Sequence, residues 1–149
     1  GLESFHGAGR RMEFKGKFNG ADVYDDYAHH PDELSATIEA VRASFPGRRL
    51  VLAFQPHTYS RTHALFNDFV RELHKADVLL LAEIYAARER NTVGISSRDL
   101  AEQVEGSIYC ETLPIVTEKL REIVRPGDVV ITMGAGDIFR AGEALLENA

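Results

Sequence analysis

The chain is poor in sulfur and in positive charge. Cys110 is its one cysteine among 149 residues, and tryptophan is absent. A lone cysteine has no partner for an intrachain disulfide, and no basic start, apolar run and small-residue cleavage site opens the sequence as a signal peptide would. Both features predict a reducing, cytoplasmic setting. Long apolar runs are also missing: the longest, such as Val78 to Ala82, reach about five residues, where a membrane helix needs about 20. The 17 Lys and Arg are outnumbered by 23 Asp and Glu, for a formal net charge of -6. That is the wrong sign for a protein held to phosphate backbones by counterion release. Membrane and nucleic acid are therefore not expected as partners. No GxxxxGK[ST] loop is present, so the chain has no means of wrapping a nucleoside triphosphate unaided in the P-loop manner. Gly134-Ala135-Gly136 lacks the rest of the GxGxxG spacing and follows the last predicted strand, which disfavours a dinucleotide fold. Asp26, His29 and His30 match no zinc-ligand spacing, and no metal site is expected from them.

What remains is an ordinary globular composition, 44% hydrophobic and 27% charged, in a length that predicts one domain over 1–149. The chain starts at Gly1 and its first methionine is Met12, which reads as a cut within a longer polypeptide. Asn19-Gly20, between Met12 to Phe18 and Asp22 to Asp25, supplies the positive backbone angles of a tight hairpin. Pro31 suits the first turn of a helix whose apolar positions are Leu34, Ile38, Val41 and Phe45. Leu50 to Phe54, Val78 to Ala82, Ser107 to Cys110 and Val129 to Met133 read as buried strands. Helix-period segments around Leu65 to Leu73, Ser97 to Val104, Leu113 to Val124 and Ile138 to Leu145 separate or follow them. This alternation predicts an α/β, three-layer Rossmann-like domain, with a mostly parallel sheet and one antiparallel strand from the N-terminal β-hairpin.

In such sheets, ligands sit beyond the carboxyl ends of the strands. The loops that precede strands look like plain connectors: Pro46-Gly47-Arg48-Arg49, Lys75-Ala76-Asp77 and Pro126-Gly127-Asp128. The loops that follow strands hold the chemistry: Asp25-Asp26-Tyr27-Ala28-His29-His30-Pro31, Gln55-Pro56-His57-Thr58-Tyr59-Ser60-Arg61-Thr62, Glu83-Ile84-Tyr85 and Gly134-Ala135-Gly136-Asp137. Four of the six histidines, His29, His30, His57 and His63, lie in or just beyond them. His57 with Arg61 suits a carboxylate or phosphate, since a guanidinium fork binds either in bidentate fashion. The Gly-Ala-Gly turn before a helix offers backbone N–H groups to an anion. Asp26 equally suits a turn or helix cap, and Cys110 reads as a small buried apolar residue.

These segments, in this order and over nearly the whole chain, resemble the C-terminal domain of the Mur ligases. The most specific are Gly9-Arg10-Arg11-Met12-Glu13, Asp25 to Pro31, Phe54 to Thr62, Glu83 to Tyr85 and Gly134 to Asp137. The Phe-Gln-Pro-His block favours the alanine-adding branch over the related murein tripeptide ligase. The resemblance implies an ATP-dependent amide ligase of peptidoglycan synthesis, which joins L-alanine to UDP-N-acetylmuramate through an acyl phosphate. It further implies that Arg11 reaches the ATP phosphates, that Asp26 holds the ribose, and that His29 and His30 line the nucleotide edge. Arg61 with His57 would orient the amino acid by its carboxylate, and Tyr85, Gly134 and Asp137 would border the same pocket. Thr58 stands where many members of the family carry Arg, so Arg61 is expected to bear more of that binding. ATP and Mg2+ would be held mainly by a central domain and the nucleotide sugar by an N-terminal one, neither in this chain. On that reading the chain has no catalytic residues of its own and is inactive alone. A stand-alone α/β ligand-binding module is the rival class.

Overall fold

Asn19 and Gly20 both have positive φ, 50° and 79°, as a two-residue hairpin turn requires. They join β1 (Glu13–Phe18) to β2 (Ala21–Asp26) in antiparallel register, with Phe18 opposite Ala21. The computed structural model describes residues 12–147. After the hairpin the elements run α1 (Pro31–Ser44), β3 (Leu50–Phe54), α2 (Tyr59–Ala64), α3 (Phe66–Leu73), β4 (Val78–Ala82), α4 (Ser97–Gln103), β5 (Ile108–Cys110), α5 (Leu113–Ile123), β6 (Val129–Met133) and α6 (Phe139–Glu147). The sheet order is β1-β2-β6-β3-β4-β5, and every pair but the first is parallel.

Strand side chains alternate between two helical layers, as a period of two dictates. Leu50, Leu52, Phe54, Leu79, Leu81, Ile131 and Met133 face α1, α3 and α4, where Leu34, Ile38, Phe69, Leu73 and Leu100 meet them. Val51, Ala53, Leu80, Ala82 and Val130 face α5 and α6, with Val116, Leu120, Ala141 and Leu145. The three-layer Rossmann-like architecture and its single antiparallel pair are as the sequence predicts. One element is not. The polar stretch before Leu65 reads as loop, yet Tyr59–Ala64 is a helix that buries only Thr62. It presents no apolar stripe, so periodicity carries no trace of it.

The chain passes from β2 over β6 to β3, and from β5 back across β4 and β3 to β6. At the carboxyl ends, β6 feeds a helix on one face of the sheet while its neighbours β2 and β3 feed helices on the other. A crevice opens at such a switch point.

The opposite edge of the sheet differs from the sequence expectation. Its loops are not plain connectors but an ion-pair network. Arg49 grips Asp128 in bidentate fashion at 2.7 and 3.0 Å, Arg48 reaches Asp22 at 2.8 Å, and Arg42 reaches Asp77 at 2.8 Å. Asp77 also accepts the Leu50 N–H, and Asp128 the Arg125 N–H. Burial alone would raise the Asp22 and Asp77 carboxyls, but the bonds from Arg48 and Lys17, and from Arg42 and Leu50, outweigh it and hold both below the usual carboxylate range.

Candidate functional site

Three loops meet at the carboxyl edge. Beyond β3 and β4 the pairing continues as a parallel bridge between His57 and Tyr85: the Thr58 N–H donates to the Tyr85 carbonyl at 2.8 Å, and the Tyr85 N–H to the Pro56 carbonyl at 2.9 Å. The two rings stack, with centroids 5.6 Å apart and planes 17° from parallel. His29, from the loop after β2, lies 5.8 Å from His57, and Tyr27 meets His29 edge-on at 5.6 Å. Four rings, Tyr27, His29, His57 and Tyr85, thus cross the ends of the sheet in one row. Tyr27 and Tyr85, at its two ends, are 41% and 37% exposed.

Arg61 sits one turn along α2, its Nη1 3.4 Å from His57 Nδ1. A guanidinium has only donors, so Nδ1 must accept and the ring proton belongs on Nε2. Burial, followed by the neighbouring His29 and Arg61, pushes the His57 pKa down, so the ring is neutral at pH 7. Among the described residues Arg61 makes no ion pair. Thr58 caps α2 by accepting the Arg61 N–H at 3.3 Å, and it takes the Thr62 hydroxyl on its own carbonyl at 2.7 Å. It does so at φ 70° and ψ 145°, where a β-branched residue is strained by about 1–3 kcal/mol. Strain of this kind gathers where the surrounding structure holds a site in place.

The remaining predicted residues divide. His30 caps α1: its Nδ1 accepts the Asp32 N–H, while Glu33 takes the N–H groups of His29 and His30. The ring nitrogen facing α1 is therefore committed to the helix. Asp26 is wholly buried, with its oxygens on the Ala28 N–H at 2.8 Å and the Thr37 hydroxyl at 3.0 Å. Through these bonds the carboxylate braces the turn that carries His29. His63 is exposed on α2 and is not in the row of rings. Arg11 lies outside the described residues.

Gly134 and Asp137 flank the turn from β6 to α6. Three N–H groups around this turn are already taken: that of Gly134 donates to the Asp26 carbonyl at 3.0 Å, and those of Asp137 and Ile138 to Gln55 Oε1 at 3.1 and 3.2 Å, while Gln55 Nε2 donates to Asp137 Oδ1 at 2.9 Å. Gly136 packs so closely that a Cβ there would lie 2.5 Å from Tyr85 Cγ and 2.7 Å from Gln55 Oε1. At Gly136 glycine is needed for this close approach. Beside Tyr85 is a cleft of about 270 Å³ lined by Gln55, Glu83, Glu111 and Asp137 among others.

Sequence reading also misses Glu83. It accepts from the Tyr109 and Ser96 hydroxyls at 2.6 and 2.7 Å and from the N–H groups of Ile84 and Ser97. Burial opposes its charge, but those four bonds prevail and lower its pKa. Glu83 so ties the Tyr85 loop to α4 and β5. The Ser and Tyr partners lie 13 and 26 residues away, with no spacing that would betray them. Among the described residues no three His, Cys, Asp or Glu side chains converge as a metal cage, and no helix is long and apolar enough to cross a membrane.

Comparison with known proteins places the chain by sequence and fold. The chain is 50% identical to a UDP-N-acetylmuramate–L-alanine ligase of Lachnospira eligens and 51% identical to one of Agathobacter rectalis, each over 99% of this chain. It spans about a third of the length of these curated relatives, 33% in both. Its fold superposes on the UDP-N-acetylmuramate-alanine ligase MurC of Thermotoga maritima with a TM-score of 0.77 at 25% identity, covering 99% of this chain and 31% of that one. The murein peptide ligase of Psychrobacter arcticus has the same fold, with a TM-score of 0.75 at 22% identity over 98% of this chain and 31% of that one. The family model described as Mur ligase, glutamate ligase domain, matches residues 10–136. By sequence and fold, the chain belongs to the Mur ligase family, as its C-terminal, glutamate ligase domain.

Proposed function

We propose that the full-length protein joins L-alanine to UDP-N-acetylmuramate in an ATP-dependent reaction, and that this chain supplies the amino-acid side of the site. The observation that carries the reading is Arg61: a guanidinium with no ion pair among the described residues, beside a neutral histidine, where three loops meet. Such a group takes a carboxylate in bidentate fashion. His57 Nε2–H is a second donor at the same place, and its neutrality leaves the positive charge on Arg61 alone. Tyr85, stacked on His57, forms the wall against which the small side chain of the amino acid rests. Gly134 and Asp137 shape the far side. ATP, when bound, supplies the phosphoryl group that activates the sugar carboxylate. Toward ATP, this chain would offer the faces of His29 and Tyr27, His30 beside them and Arg11 beyond the described residues, with Asp26 acting through the turn it braces. The magnesium ion is assigned to the rest of the full-length protein, where most of the nucleotide site would lie. Bringing this edge against that site aligns amine and acyl group and excludes water.

The test is phosphate release by the purified full-length protein with ATP, Mg2+ and UDP-N-acetylmuramate, in the presence of L-alanine or of a murein tripeptide. Release and amide formation that depend on L-alanine are expected; dependence on the tripeptide alone, or on neither, overturns the assignment. The isolated chain is expected to form no amide above blank, and clear turnover by it would show that the site is complete without the missing parts.

A further inference from the structure

Gln55 is a buried polar side chain, 4% exposed, that makes three hydrogen bonds to one turn. All three stay within the protein, and Gln55 and Asp137 both line the cleft beside Tyr85. Its carbonyl oxygen takes the two N–H groups that lead into α6, and its amide nitrogen holds Asp137 Oδ1. The same turn carries Gly136, whose backbone lies against both Gln55 and the Tyr85 ring. Tyr85 in turn stacks on His57, and His57 accepts from Arg61. A continuous line of contacts therefore runs from Asp137 through Gln55 and Gly136 to the cation on the other side of the crevice.

We infer that Gln55 and Asp137 form an amide–carboxylate latch that sets the distance between the β6–α6 turn and the Tyr85–His57 wall, so that Asp137 is a positioning residue for the amino-acid site. The inference deepens the functional reading above and rests on it for its kinetic test. The sequence alone places Asp137 among residues that touch the substrate. The geometry instead commits one of its oxygens and its own N–H to Gln55. The latch joins two strands that are neighbours in the sheet but lie about 80 residues apart in sequence, 82 between Gln55 and Asp137. It does so where their helices leave on opposite faces, just beyond the last backbone bond between the strands, from Gln55 N–H to the Met133 carbonyl at 2.9 Å.

The test exploits the polarity of the bond. Gln55→Glu keeps the shape but sets a second carboxylate against Asp137 Oδ1. The kcat/KM for the amino acid in the full-length protein is expected to fall on the order of tenfold at pH 8, since like charges at this separation do not both ionise freely. As pH is lowered the pair takes up one shared proton, the bond re-forms, and the loss shrinks; the parent protein shows no such recovery. Glu83 and Glu111, which line the same cleft, and His57 are other ionisable groups facing the pair, and all three are common to parent and variant. In Gln55→Glu with Asp137→Asn the donor and acceptor exchange places, and activity should return to within about threefold of the parent with the parent's pH profile. Asp137→Asn alone still accepts from Gln55 and should lose less than Gln55→Glu. A Gln55→Glu protein with parental rate and profile, or a double variant no better than Gln55→Glu, overturns the latch. Thermal melts of the same three variants follow the same cycle: a fall in Tm with Gln55→Glu and its return in the double variant. If the parent protein performs no ligation, the functional reading fails and the melts alone decide the latch. If Gln55→Glu does not accumulate folded, recovery of folded protein in the double variant supports the latch, and its failure to recover refutes it.

Discussion

The two edges of one sheet use arginine in opposite ways. At the amino edge Arg42, Arg48 and Arg49 each meet a carboxylate at 2.7–2.8 Å, and Arg49 also caps the Ile123 carbonyl at the end of α5. At the carboxyl edge the Arg61 guanidinium meets, among the described residues, a histidine ring at 3.4 Å and no carboxylate. The amino-edge charges are spent on joining loops that are distant in sequence. The carboxyl-edge charge has no carboxylate partner among the described residues, and the proposed function gives it the amino acid. Arginine content says nothing about function here; what matters is whether the chain also supplies the acceptor.

Substitutions at the two edges should therefore separate stability from activity. Arg49→Ala strands Asp128, which is 3% exposed, and should cost about 3 kcal/mol of local stability. Faster hydrogen exchange across β3 and β6 in the full-length protein, with an unchanged amino-acid KM, is the expected result. Equal damage to KM would mean that the edges are not independent. Arg61→Ala should do the reverse, raising the amino-acid KM on the order of 10- to 100-fold, or about 1.4–2.7 kcal/mol, with exchange across the sheet unaltered. An unchanged KM removes Arg61 from the site. Thr58→Gly sharpens the contrast: it relieves the strained backbone at a cost of a few tenths of a kcal/mol for the lost cap, a net gain of about 1 kcal/mol. The amino-acid KM should nevertheless rise a few-fold as Arg61 loses its tether; a fall in stability would contradict the strain, and an unchanged KM the tether.

The smallest effect is in acid. His57 has a lowered pKa in the folded chain, so its contribution is fully present above about pH 6.5 and is lost as pH falls through the lower, folded value. Asp22 and Asp77 are lowered below their ordinary range, so their contribution is fully present above about pH 4 and is lost as pH falls further, through their folded values. Melting temperature against pH should fall in two steps, the carboxyl edge first. His57→Gln should abolish the upper step only, and loss of both steps together would merge the two edges into one unit.

Much of this was legible before any coordinates. Asn19-Gly20 marks the hairpin by backbone angle, and four short runs mark the other strands, since each phenomenon is local. His57, Arg61 and Tyr85 stand out because polar residues of these types after strands have no structural task that composition can supply. Three things were out of reach. Arg49 and Asp128 are 79 residues apart, so two connectors that look plain separately turn out to be partners. Asp26 has the residue type of a ligand and the burial of a brace, a distinction only packing makes. Gln55 looks like one polar residue in a polar loop until the sheet order sets β6 beside β3.

That sheet order has a consequence for how the molecule comes into being. β6 is the last strand in the chain, yet it occupies the middle of the sheet, with Val129 opposite both Asp22 and Leu50. Until it is inserted, β2 and β3 have no shared partner, and the histidines after them have no reason to be near one another. During synthesis the hairpin and the β3–β4 pair must wait as separate pieces, with apolar edges uncovered, for the closing strand to arrive; long-range pairing of this kind is slow and exposed to aggregation. Pulse-labelled exchange should show the amides of β2 and β6 gaining protection together. A chain interrupted before Val129 would not yield a smaller version of the site, but two fragments of sheet that had never met.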